Sequence, residues 1–369
     1  MTFGFLSHLD YNLWLFRLPI MQELVKQGHT VYAICPSGEV SGEFAQHNII
    51  HIPYAIERSS LNPLKEIRSI RNIYDAIVPL KLDILHTFTA KPNIYGTIAG
   101  RLAKVPHIIN LVEGLGSFYL ENDLKSRLVR TLIETLYRQT FKLANTVMFV
   151  NRDDPAYLAS RKIITPEKIF IIKGVGIDTN KWSPLPKENG STRVTMIARA
   201  LTHKGVLEFI EAAKILTKKF PAVSFQYVGS PDEGNPFSVT ETFMQTQSSI
   251  HYLGHQTNIR HILAQSDIFV LPSYREGLPR TTMEAMSMGL PIITTDVVGC
   301  RETVENAING FIVPPKDSLA LAKAIEHLLK DENLRKKMGK KSRLKAVREF
   351  DIATIIDKYL EVYGLQRVR

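Results

Sequence analysis

Short apolar runs alternate with helix-forming segments along the whole of this 369-residue chain. Such an alternation predicts parallel sheets, because two parallel neighbours must be joined by a crossover that is usually a helix. In the first half, the runs predicted as strands are 3–6, 31–34, 49–52, 84–88, 107–112, 146–150 and 169–172. In the second half they lie near 194–197, 223–228, 250–253, 268–271, 292–295 and 310–313. The sequence therefore predicts an α/β protein of the doubly wound type.

A polar stretch near the middle divides this pattern into two domains. Residues 178–191 are rich in proline, asparagine and glycine, which is typical of a linker. The chain is long enough to form a separate core on each side of this stretch. We therefore expect an N-terminal domain over 1–177 and a C-terminal domain over 192–350.

Composition narrows the class of protein. The chain is 44% hydrophobic and 22% charged, as ordinary globular proteins are. Its net charge of +10 suits an anionic membrane surface or polyanionic substrates such as diphosphates. No helix-turn-helix or zinc-finger spacing occurs, so nucleic acid is not an expected partner. Cys35 and Cys300 are far apart in sequence, which favours a reduced compartment over a disulfide framework.

Hydropathy predicts no membrane span. No stretch approaches the ~18 consecutive apolar residues of a transmembrane helix. The first apolar run, 3–6, is too short for a signal peptide and lacks the charged flank of one. We therefore expect the protein to act in the cytoplasm.

Two glutamates, Glu276 and Glu284, frame a predicted strand-to-helix turn. Glu276 follows the apolar run 267–273, and Glu284 lies in a helix-forming segment, 279–288, with a proline at its start. The start of a helix attracts anions, because its amide groups and its dipole are positive there. Carboxylates accept hydrogen bonds from hydroxyl groups. The pattern therefore favours a sugar nucleotide, with its diphosphate at the helix start and its hydroxyls on the carboxylates.

Two cations, Arg199 and Lys204, lie in the loop after the first strand of the second half. Ligands of doubly wound sheets bind at the carboxyl ends of the strands, where this loop is expected. Arginine offers a fork to phosphate oxygens, and lysine offers a point charge. Alternatively both are ordinary loop cations, but the glutamate pair at the same predicted edge favours a joint site.

Glycines follow two further strands of the second half. Gly229 follows the run 223–228, and Gly254 comes directly after Leu253. A glycine lets the backbone approach a ligand closely, so both positions are candidates for donor binding, the second as a nucleobase slot. Alternatively each glycine marks only a turn.

These motifs resemble the donor domain of retaining GT-B glycosyltransferases of the family 4 type. The resemblance rests on 199–205, on 267–279 and on the pair of Glu276 and Glu284, and it covers the whole chain in domain order. It implies two Rossmann-like domains that face each other across a cleft and draw together around the donor. It also implies that a C-terminal helix within 351–369 crosses back to the N-terminal domain.

A narrower resemblance connects the chain with glycosyltransferases of bacterial protein N-glycosylation. It rests on 16–19, 111–119 and 196–205. It implies transfer of GalNAc from UDP-GalNAc, in α-1,3 linkage, to undecaprenyl-diphosphate-linked di-N-acetylbacillosamine at the cytoplasmic face of the bacterial inner membrane. Close relatives of that family build capsule and O-antigen. A hexosyl- or N-acetylhexosaminyltransferase that acts on another polyprenyl-diphosphate sugar is therefore the alternative.

The GT-B resemblance also implies donor-site roles for individual residues. Glu276 would hold hydroxyls of the donor hexose, and Glu284 would bind the ribose. Arg199 and Lys204 would neutralise the charge that develops on the leaving UDP. The backbone amides expected to meet the donor are those of Gly277, Leu278, Arg280 and Thr281. No Asp-x-Asp motif occurs in the chain, so neither a divalent metal nor another cofactor is expected.

Three residues of the N-terminal half are candidates for the acceptor side. Glu113 stands where many members of the GT-B family carry a histidine, directly after the run 107–112. It could orient or deprotonate the acceptor hydroxyl, or it could be a capping or ion-paired glutamate. Arg17 and Lys91 are candidates for the acceptor diphosphate, or solvated surface cations. We assign no nucleophile, because the resembled family is thought to retain configuration without the carboxylate nucleophile of retaining hydrolases.

The helix predicted over 124–144 mixes basic and apolar residues. Such a mixture is typical of a helix that lies on a membrane surface. It is typical also of a helix that packs on the core and turns a basic face to solvent, which base rates favour. Peripheral attachment to the membrane is expected through this helix and through residues 13–16.

Two functions of other kinds fit parts of the pattern. A sugar-nucleotide 2-epimerase shares the architecture, but it needs acid and base carboxylates about the hexose C2, and no such set can be placed. A basic nucleotide- or membrane-binding module would not require Arg199, Lys204 and Glu276 to converge on one ligand. A Lys204 variant that loses turnover and keeps its fold would separate catalysis from binding.

Overall fold

The computed structural model describes residues 1–57, 62–188 and 190–367. It divides into two compact units, one formed by Met1–Val175 with Ile352–Arg369 and the other by Gly176–Asp351. Each unit has a parallel sheet of its own, and every predicted apolar run overlaps one of the strands. The predicted α/β fold is therefore confirmed.

The first unit is built on a parallel sheet whose order is β3-β2-β1-β4-β5-β6-β7. Its strands are β1 (Thr2–Leu6), β2 (Thr30–Ile34), β3 (Ile50–Ile52), β4 (Ile84–Phe88), β5 (His107–Val112), β6 (Thr146–Phe149) and β7 (Ile169–Ile171). Its first helices are α1 (Asp10–Lys26), α2 (Pro63–Ile77), α3 (Thr97–Leu102), α4 (Leu124–Leu143) and α5 (Asp153–Ser160). The winding direction reverses beside β1, so the loops after β1 and β4 flank a topological switch point.

The second unit is built on a parallel sheet whose order is β10-β9-β8-β11-β12-β13. Its strands are β8 (Arg193–Ile197), β9 (Ser224–Val228), β10 (His251–Tyr252), β11 (Ile268–Leu271), β12 (Ile292–Thr295) and β13 (Gly310–Val313). Its helices are α6 (Val206–Thr217), α7 (Glu241–Gln245), α8 (Ile259–Ala264), α9 (Arg280–Ser287), α10 (Ser318–Lys330) and α11 (Glu332–Glu349). The switch point lies beside β8, because β8 pairs with β9 on one side and with β11 on the other.

The central strands are covered on both faces. Every residue of β4, β11 and β12 is buried. Buried parallel strands lack a solvent face, which explains why β11 is a continuous apolar run and why the other two carry only a few polar residues, each of them buried. Within the described residues, no helix has the length and apolar character needed to cross a bilayer.

The last helix, α12 (Ile352–Val362), belongs to the first unit although it follows the second unit in sequence. It buries Ile355 and Tyr359, and Tyr363 is buried just beyond its end. The hydroxyl of Tyr363 lies 2.6 Å from Nδ1 of His86 on β4. Burial lowers the pKa of His86, so a neutral imidazole accepts or donates this bond in the core.

The stretch predicted as a linker is packed into the second unit. Arg343 of α11 donates from Nη1 to the carbonyl oxygens of Thr179 and Trp182, at 2.8 and 3.0 Å. The unit begins at Gly176, before the stretch starts. The described part of 178–191 is therefore held against the second unit, because two of its backbone carbonyls accept hydrogen bonds from α11. Asn189 lies outside the described residues.

Candidate active site

The loops after β8 and β11 bring Lys204 and Glu276 together in the second unit. Nζ of Lys204 lies 2.6 Å from Oε1 of Glu276, and the two side chains are only 17% and 12% exposed. The hydroxyl of Ser273 donates to the same carboxylate oxygen at 2.7 Å. The predicted convergence of these two charges is thus present, and Ser273 is a third member that the sequence analysis missed.

A glycine sets the close approach of the two loops. Gly205 has φ of +79°, and a Cβ there would lie 2.2 Å from the carbonyl oxygen of Pro272. Only glycine fits both the left-handed conformation and the contact. The backbone amide of Tyr274 also donates to the carbonyl of His203 at 2.9 Å. These contacts hold Lys204 beside the loop that carries Glu276.

The loop of Glu276 is supported from its other side by the residues after β12. The amide of Glu276 donates to the carbonyl oxygen of Val298 at 3.0 Å. Gly299 has φ of +77°, and a Cβ there would lie 2.5 Å from the carbonyl oxygen of Glu276. The backbone around Glu276 is therefore enclosed by neighbouring loops, which leaves its side chain little freedom to turn away.

The helix α9 starts directly beyond this loop. It begins at Arg280 after Pro279, and no side chain caps its first turn. The first amides of any α-helix have no acceptor within the helix, and the helix dipole is positive at that end. The backbone of Gly277, Leu278, Arg280 and Thr281 thus lies between Glu276 and a helix start, where an anion is favoured.

Glu284 lies on the second turn of α9 and is only 6% exposed. Its Oε1 accepts a hydrogen bond from Nε of Arg280 at 2.8 Å. Burial raises the pKa of Glu284, while the positive charge of Arg280 opposes that rise. A buried, partly compensated carboxylate of this kind is expensive for the fold and is typical of a functional position.

Arg199 lies on the same loop as Lys204 but binds a different carboxylate. Its Nη1 is 2.5 Å from Oδ2 of Asp232, and its side chain is 60% exposed. Exposed ion pairs contribute little to stability, so this arginine can exchange Asp232 for another anion. Asp232 is a partner that the sequence analysis did not identify.

The glycines predicted at the ends of β9 and β10 lie beside the loop after β8. Gly229 has φ of +135°, and a Cβ there would lie 1.9 Å from the carbonyl oxygen of Ala198. Its amide donates to the carbonyl oxygen of Gly254 at 2.8 Å. No heavy atom lies within 4 Å of a Cβ built on Gly254, and Leu253 is 37% exposed. A side chain at Gly229 would therefore clash with the neighbouring loop, whereas the space beside Gly254 is open and Leu253 is exposed.

In the first unit, Arg17 and Glu113 form a buried ion pair. Arg17 is completely buried, and its Nη2 donates to Oε1 of Glu113. Its Nη1 donates to the hydroxyl of Tyr359 on α12 at 3.1 Å, and its guanidinium lies 4.6 Å from the centre of the Phe88 ring. A guanidinium enclosed in this way cannot contact a diphosphate directly. The prediction of Arg17 as an acceptor ligand is corrected to a role in holding Glu113.

Glu113 itself lies at the carboxyl end of β5, with its side chain 22% exposed. Of the two alternatives left open by the sequence, the ion pair is present. That pair fixes one carboxylate oxygen and keeps the group oriented at the sheet edge where ligands bind. Ion pairing and a role toward a substrate hydroxyl are compatible, because general bases are commonly oriented by a second residue.

Lys91 also has a carboxylate partner. Its Nζ lies 2.9 and 3.0 Å from the two oxygens of Glu66 and donates to the carbonyl oxygen of Glu57 at 2.7 Å. The side chains of Lys91 and Glu66 are 18% and 14% exposed. Lys91 is therefore not the solvated cation of one alternative, and a diphosphate would have to compete with Glu66 for it.

Among the residues that the structure describes, no group of three or more His, Cys, Asp or Glu side chains is arranged to hold a metal ion. The candidate site of the second unit carries instead the paired charges of Lys204 and Glu276.

Two family models match the chain, one in each half. The model described as "Glycosyl transferase 4-like" matches residues 5–151, and "Glycosyl transferases group 1" matches residues 178–345. The second match contains Arg199, Lys204 and both glutamates of the predicted donor site.

Curated relatives cover nearly the full length. The N,N'-diacetylbacillosaminyl-diphospho-undecaprenol alpha-1,3-N-acetylgalactosaminyltransferase of Campylobacter jejuni is 35% identical over 98% of each chain. The UDP-Gal:alpha-D-GlcNAc-diphosphoundecaprenol alpha-1,3-galactosyltransferase of Escherichia coli is 30% identical over 82% of this chain and 81% of its own.

Solved structures share the fold at lower identity. Anabaena HepE in complex with UDP superposes with a TM-score of 0.78 at 20% identity, covering 98% of this chain and 99% of its own. WaaG, a glycosyltransferase involved in lipopolysaccharide biosynthesis, gives a TM-score of 0.75 at 16% identity, with 98% and 99% covered. These likenesses confirm the GT-B fold that the motifs predict.

Proposed function

The chain belongs to the glycosyltransferases, and we propose that it transfers GalNAc from UDP-GalNAc to undecaprenyl-diphosphate-linked di-N-acetylbacillosamine in α-1,3 linkage. The observation that carries this proposal is the 35% identity with the Campylobacter jejuni enzyme over 98% of both chains. In this proposal the protein attaches peripherally to the cytoplasmic face of the inner membrane, where it extends a lipid-linked sugar for protein N-glycosylation.

The donor hexose is proposed to bind at Glu276. This carboxylate is fixed by Lys204 and Ser273, so it is oriented before the donor arrives, and preorganisation of this kind favours binding. The supporting backbone amides are those of Gly277 and Leu278 for the hexose, and of Arg280 and Thr281 for the diphosphate at the start of α9. The uracil is proposed to lie against Leu253 and Gly254, where Leu253 is exposed and the space beside Gly254 is open.

Lys204 and Arg199 are proposed to stabilise the leaving group. As the bond between the anomeric carbon and the phosphate oxygen breaks, negative charge grows on UDP, and fixed cations lower the energy of that state. Arg199 would leave its exposed ion pair with Asp232 and bind the diphosphate instead. Two side-chain cations and a helix start supply positive charge here, so the proposed reaction requires no divalent metal.

The proposed reaction retains configuration without a covalent intermediate. A hydroxyl of the acceptor sugar attacks the anomeric carbon from the face that UDP leaves. One carbon–oxygen bond forms, the bond to phosphate breaks, and the hydroxyl proton passes to a phosphate oxygen. Glu113 orients the acceptor hydroxyl by accepting its hydrogen bond, and Arg17 keeps the carboxylate in position.

Replacing Glu284 by glutamine is expected to weaken UDP binding about tenfold, since a charged acceptor for the ribose hydroxyls is lost. The free protein is expected to be at least as stable as the parent at pH 7. Burial raises the pKa of Glu284 above its ordinary value of 4.5, so the folded state binds this proton more tightly than the unfolded chain. The charged carboxylate therefore costs stability at pH values above its folded pKa, and this cost fades as the pH falls toward 4.5.

Titration calorimetry with UDP and thermal unfolding from pH 4.5 to 7.5 would measure both effects. Glu332→Gln is the matched control, because Glu332 is an exposed glutamate on α11. This change should alter neither the affinity for UDP nor the pH dependence of that affinity. A Glu284→Gln protein that binds UDP like the parent would remove the ribose role.

A transfer assay tests the whole proposal. Purified protein in EDTA is offered UDP-GalNAc, UDP-GlcNAc, UDP-glucose, UDP-galactose and GDP-mannose, each against undecaprenyl-diphosphate-linked di-N-acetylbacillosamine. The expected result is transfer from UDP-GalNAc, with a product that an α-1,3-specific analysis identifies. Undecaprenyl-diphosphate-linked GlcNAc is the second acceptor, because the Escherichia coli relative is a galactosyltransferase named for that substrate.

The outcomes separate the parts of the proposal. Galactose transfer to the GlcNAc acceptor alone would replace the proposed function by its O-antigen or capsule alternative. Transfer that appears only after a divalent metal is restored would remove metal independence and leave the substrates standing. A folded protein that transfers nothing from any donor to either acceptor would contradict the substrate assignment.

A further inference from the structure

The helix α4 exposes a row of leucines. Leu124, Leu128 and Leu132 are 73%, 63% and 48% exposed, and they are spaced four residues apart, so they lie along one side of the helix. Leu143, 42% exposed, continues the same side eleven residues later. We call these four residues the leucine face. Single exposed leucines are normal on proteins, but a continuous row of them indicates a binding surface.

The opposite side of α4 already has its partner. Val129, Tyr137 and Phe141 are buried against the rest of the first unit. The helix therefore needs none of its exposed leucines to pack on the core. A helix that is apolar on two sides is stable in water only at a cost, unless the second side also meets an apolar surface.

The polar residues around the leucine face are cationic or neutral. The exposed cations of α4 are Lys125, Arg127 and Lys142, and their side chains form no ion pair within the described part of the chain. Thr131 and Thr135 turn their hydroxyls inward, donating to helix carbonyls at 2.9 and 2.8 Å. Their methyl groups thus add to the apolar character of this side.

The carboxylate within α4 itself is not exposed on this side. Glu134, the one carboxylate within α4, is buried and accepts a hydrogen bond from the hydroxyl of Tyr157 at 2.8 Å. Lys and Arg can extend along an apolar surface while their charged ends reach outward. The exposed side of α4 thus carries three unpaired cations and one exposed carboxylate, that of Asp123 at the N-cap, and this excess of positive charge beside a leucine row complements a surface that is apolar inside and anionic at its boundary.

We infer that the leucine face of α4 docks the protein on an anionic phospholipid bilayer. The inference rests on the proposed function, because a polyprenyl-linked acceptor presents its sugar at such a surface. The helix follows β5 and the loop that carries Glu113, so its first turn starts from the same edge of the sheet. Docking through α4 would bring that edge near the lipid headgroups.

The other segment expected to meet the membrane is less suited to it. Leu13 is completely buried, and Trp14 packs edge-on against Phe44 with ring centres 5.7 Å apart. Leu13 therefore belongs to the core of the first unit, and Trp14 is half-buried against it. The expectation for residues 13–16 is corrected for Leu13, and the leucine face carries the proposal.

Vesicle binding measured without donor or acceptor tests the inference independently of catalysis. The full-length protein is sedimented with phosphatidylcholine vesicles and with vesicles that also contain phosphatidylglycerol. The triple variant L124S/L128S/L132S is expected to partition about tenfold less, or weaker still, onto the anionic vesicles. L319S is the matched control, because Leu319 is 63% exposed on α10 of the second unit. Equal partitioning of the triple variant and the parent would overturn the inference.

The cations are tested separately. The variant K125Q/R127Q is expected to lose roughly tenfold in binding to the anionic vesicles and nothing to phosphatidylcholine alone. Equal losses on both kinds of vesicle would contradict a role for charge in docking.

A fluorescent label reports insertion at the site itself. The two natural cysteines, Cys35 and Cys300, are fully buried, so a cysteine at position 128 can be labelled selectively with an environment-sensitive dye. L128C is expected to brighten and shift to the blue on anionic vesicles, whereas L319C should not. A label at 128 that is already shielded without lipid, in a protein that dimerises, would show that a second copy covers the face and would overturn the inference. If the transfer assay fails while these results hold, the substrate proposal fails and the docking surface stands.

Discussion

Replacing Lys204 by alanine is expected to lower kcat by roughly 100- to 1,000-fold, the usual effect of removing one fixed stabiliser of transition-state charge. The ammonium lies 2.6 Å from the Glu276 carboxylate and is only 17% exposed, so water replaces it poorly. KM for the UDP-sugar should rise much less, because the charge on UDP grows mainly in the transition state. Steady-state kinetics with UDP-GalNAc and the proposed acceptor would measure kcat and KM. Far-UV circular dichroism would show whether the variant is folded.

Lys218→Ala is the matched control, because Lys218 is an exposed lysine of the same unit outside the proposed donor site. Its kinetics should equal those of the parent. A folded Lys204→Ala enzyme with kcat within about threefold of the parent would remove Lys204 from catalysis. If UDP-sugar affinity alone were lost and kcat kept, Lys204 would be a binding residue, as in the non-catalytic alternative.

The fold was largely predictable because its signal is local. A buried parallel strand must be apolar on both sides, and this appears in the sequence as a short run whatever its neighbours are. The run 268–271 is strand β11 without a change of boundary. The strand order was not predictable residue by residue, since the pairing of β8 with β11 joins segments about seventy residues apart.

The convergence of Lys204 and Glu276 in the candidate site was predictable for a different reason. In parallel sheets every strand delivers its carboxyl end to the same edge, so Lys204 after β8 and Glu276 after β11 meet by topology. Ser273 escaped because a serine near a glutamate is common and carries no signal of its own. Asp232 escaped because its contact with Arg199 depends on how the loop after β9 folds back.

The sequence misled most where a side chain finds a distant partner. Arg17 has the pattern of a surface cation on an ordinary helix, yet it is completely buried. Its partners are Phe88, Glu113 and Tyr359, the last 342 residues away on a helix that returns from the far end of the chain. Burying an arginine is unfavourable unless partners compensate its charge. Because the partners of Arg17 are far away in sequence, no local pattern reveals that it is buried.

The leucines of α4 show a second limit of sequence-based prediction, which concerns exposed residues and not buried ones. Apolar residues occur on both sides of this helix, so its periodicity does not say which side meets the core. The structure assigns Val129, Tyr137 and Phe141 to the core and leaves Leu124 and Leu128 exposed. The helix thus packs on the core and turns basic residues to solvent, as the core-facing alternative had it, and its outer side carries exposed leucines in addition.

Breaking the Arg17–Glu113 pair from either side is expected to destabilise the first unit by about 3 kcal/mol, because each single change leaves a buried or half-buried group without its partner. Arg17→Met leaves Glu113 and the Tyr359 hydroxyl without their donor. Glu113→Gln leaves a positive charge in a site that is closed to water. Urea unfolding, with hydrogen exchange of the α12 amides as the local probe, would measure the loss in each variant.

The double variant R17M/E113Q distinguishes pairing from packing. If the two groups matter mainly to each other, the double variant loses clearly less stability than the sum of the singles, since no charge remains buried without compensation. Additive losses would instead mean that each side chain acts through its own neighbours. Transfer activity should not recover with stability, because the restored fold still lacks the carboxylate proposed to orient the acceptor hydroxyl. A double variant that regains both stability and full turnover would reduce Glu113 to a structural residue and leave acceptor orientation to other groups of the first unit.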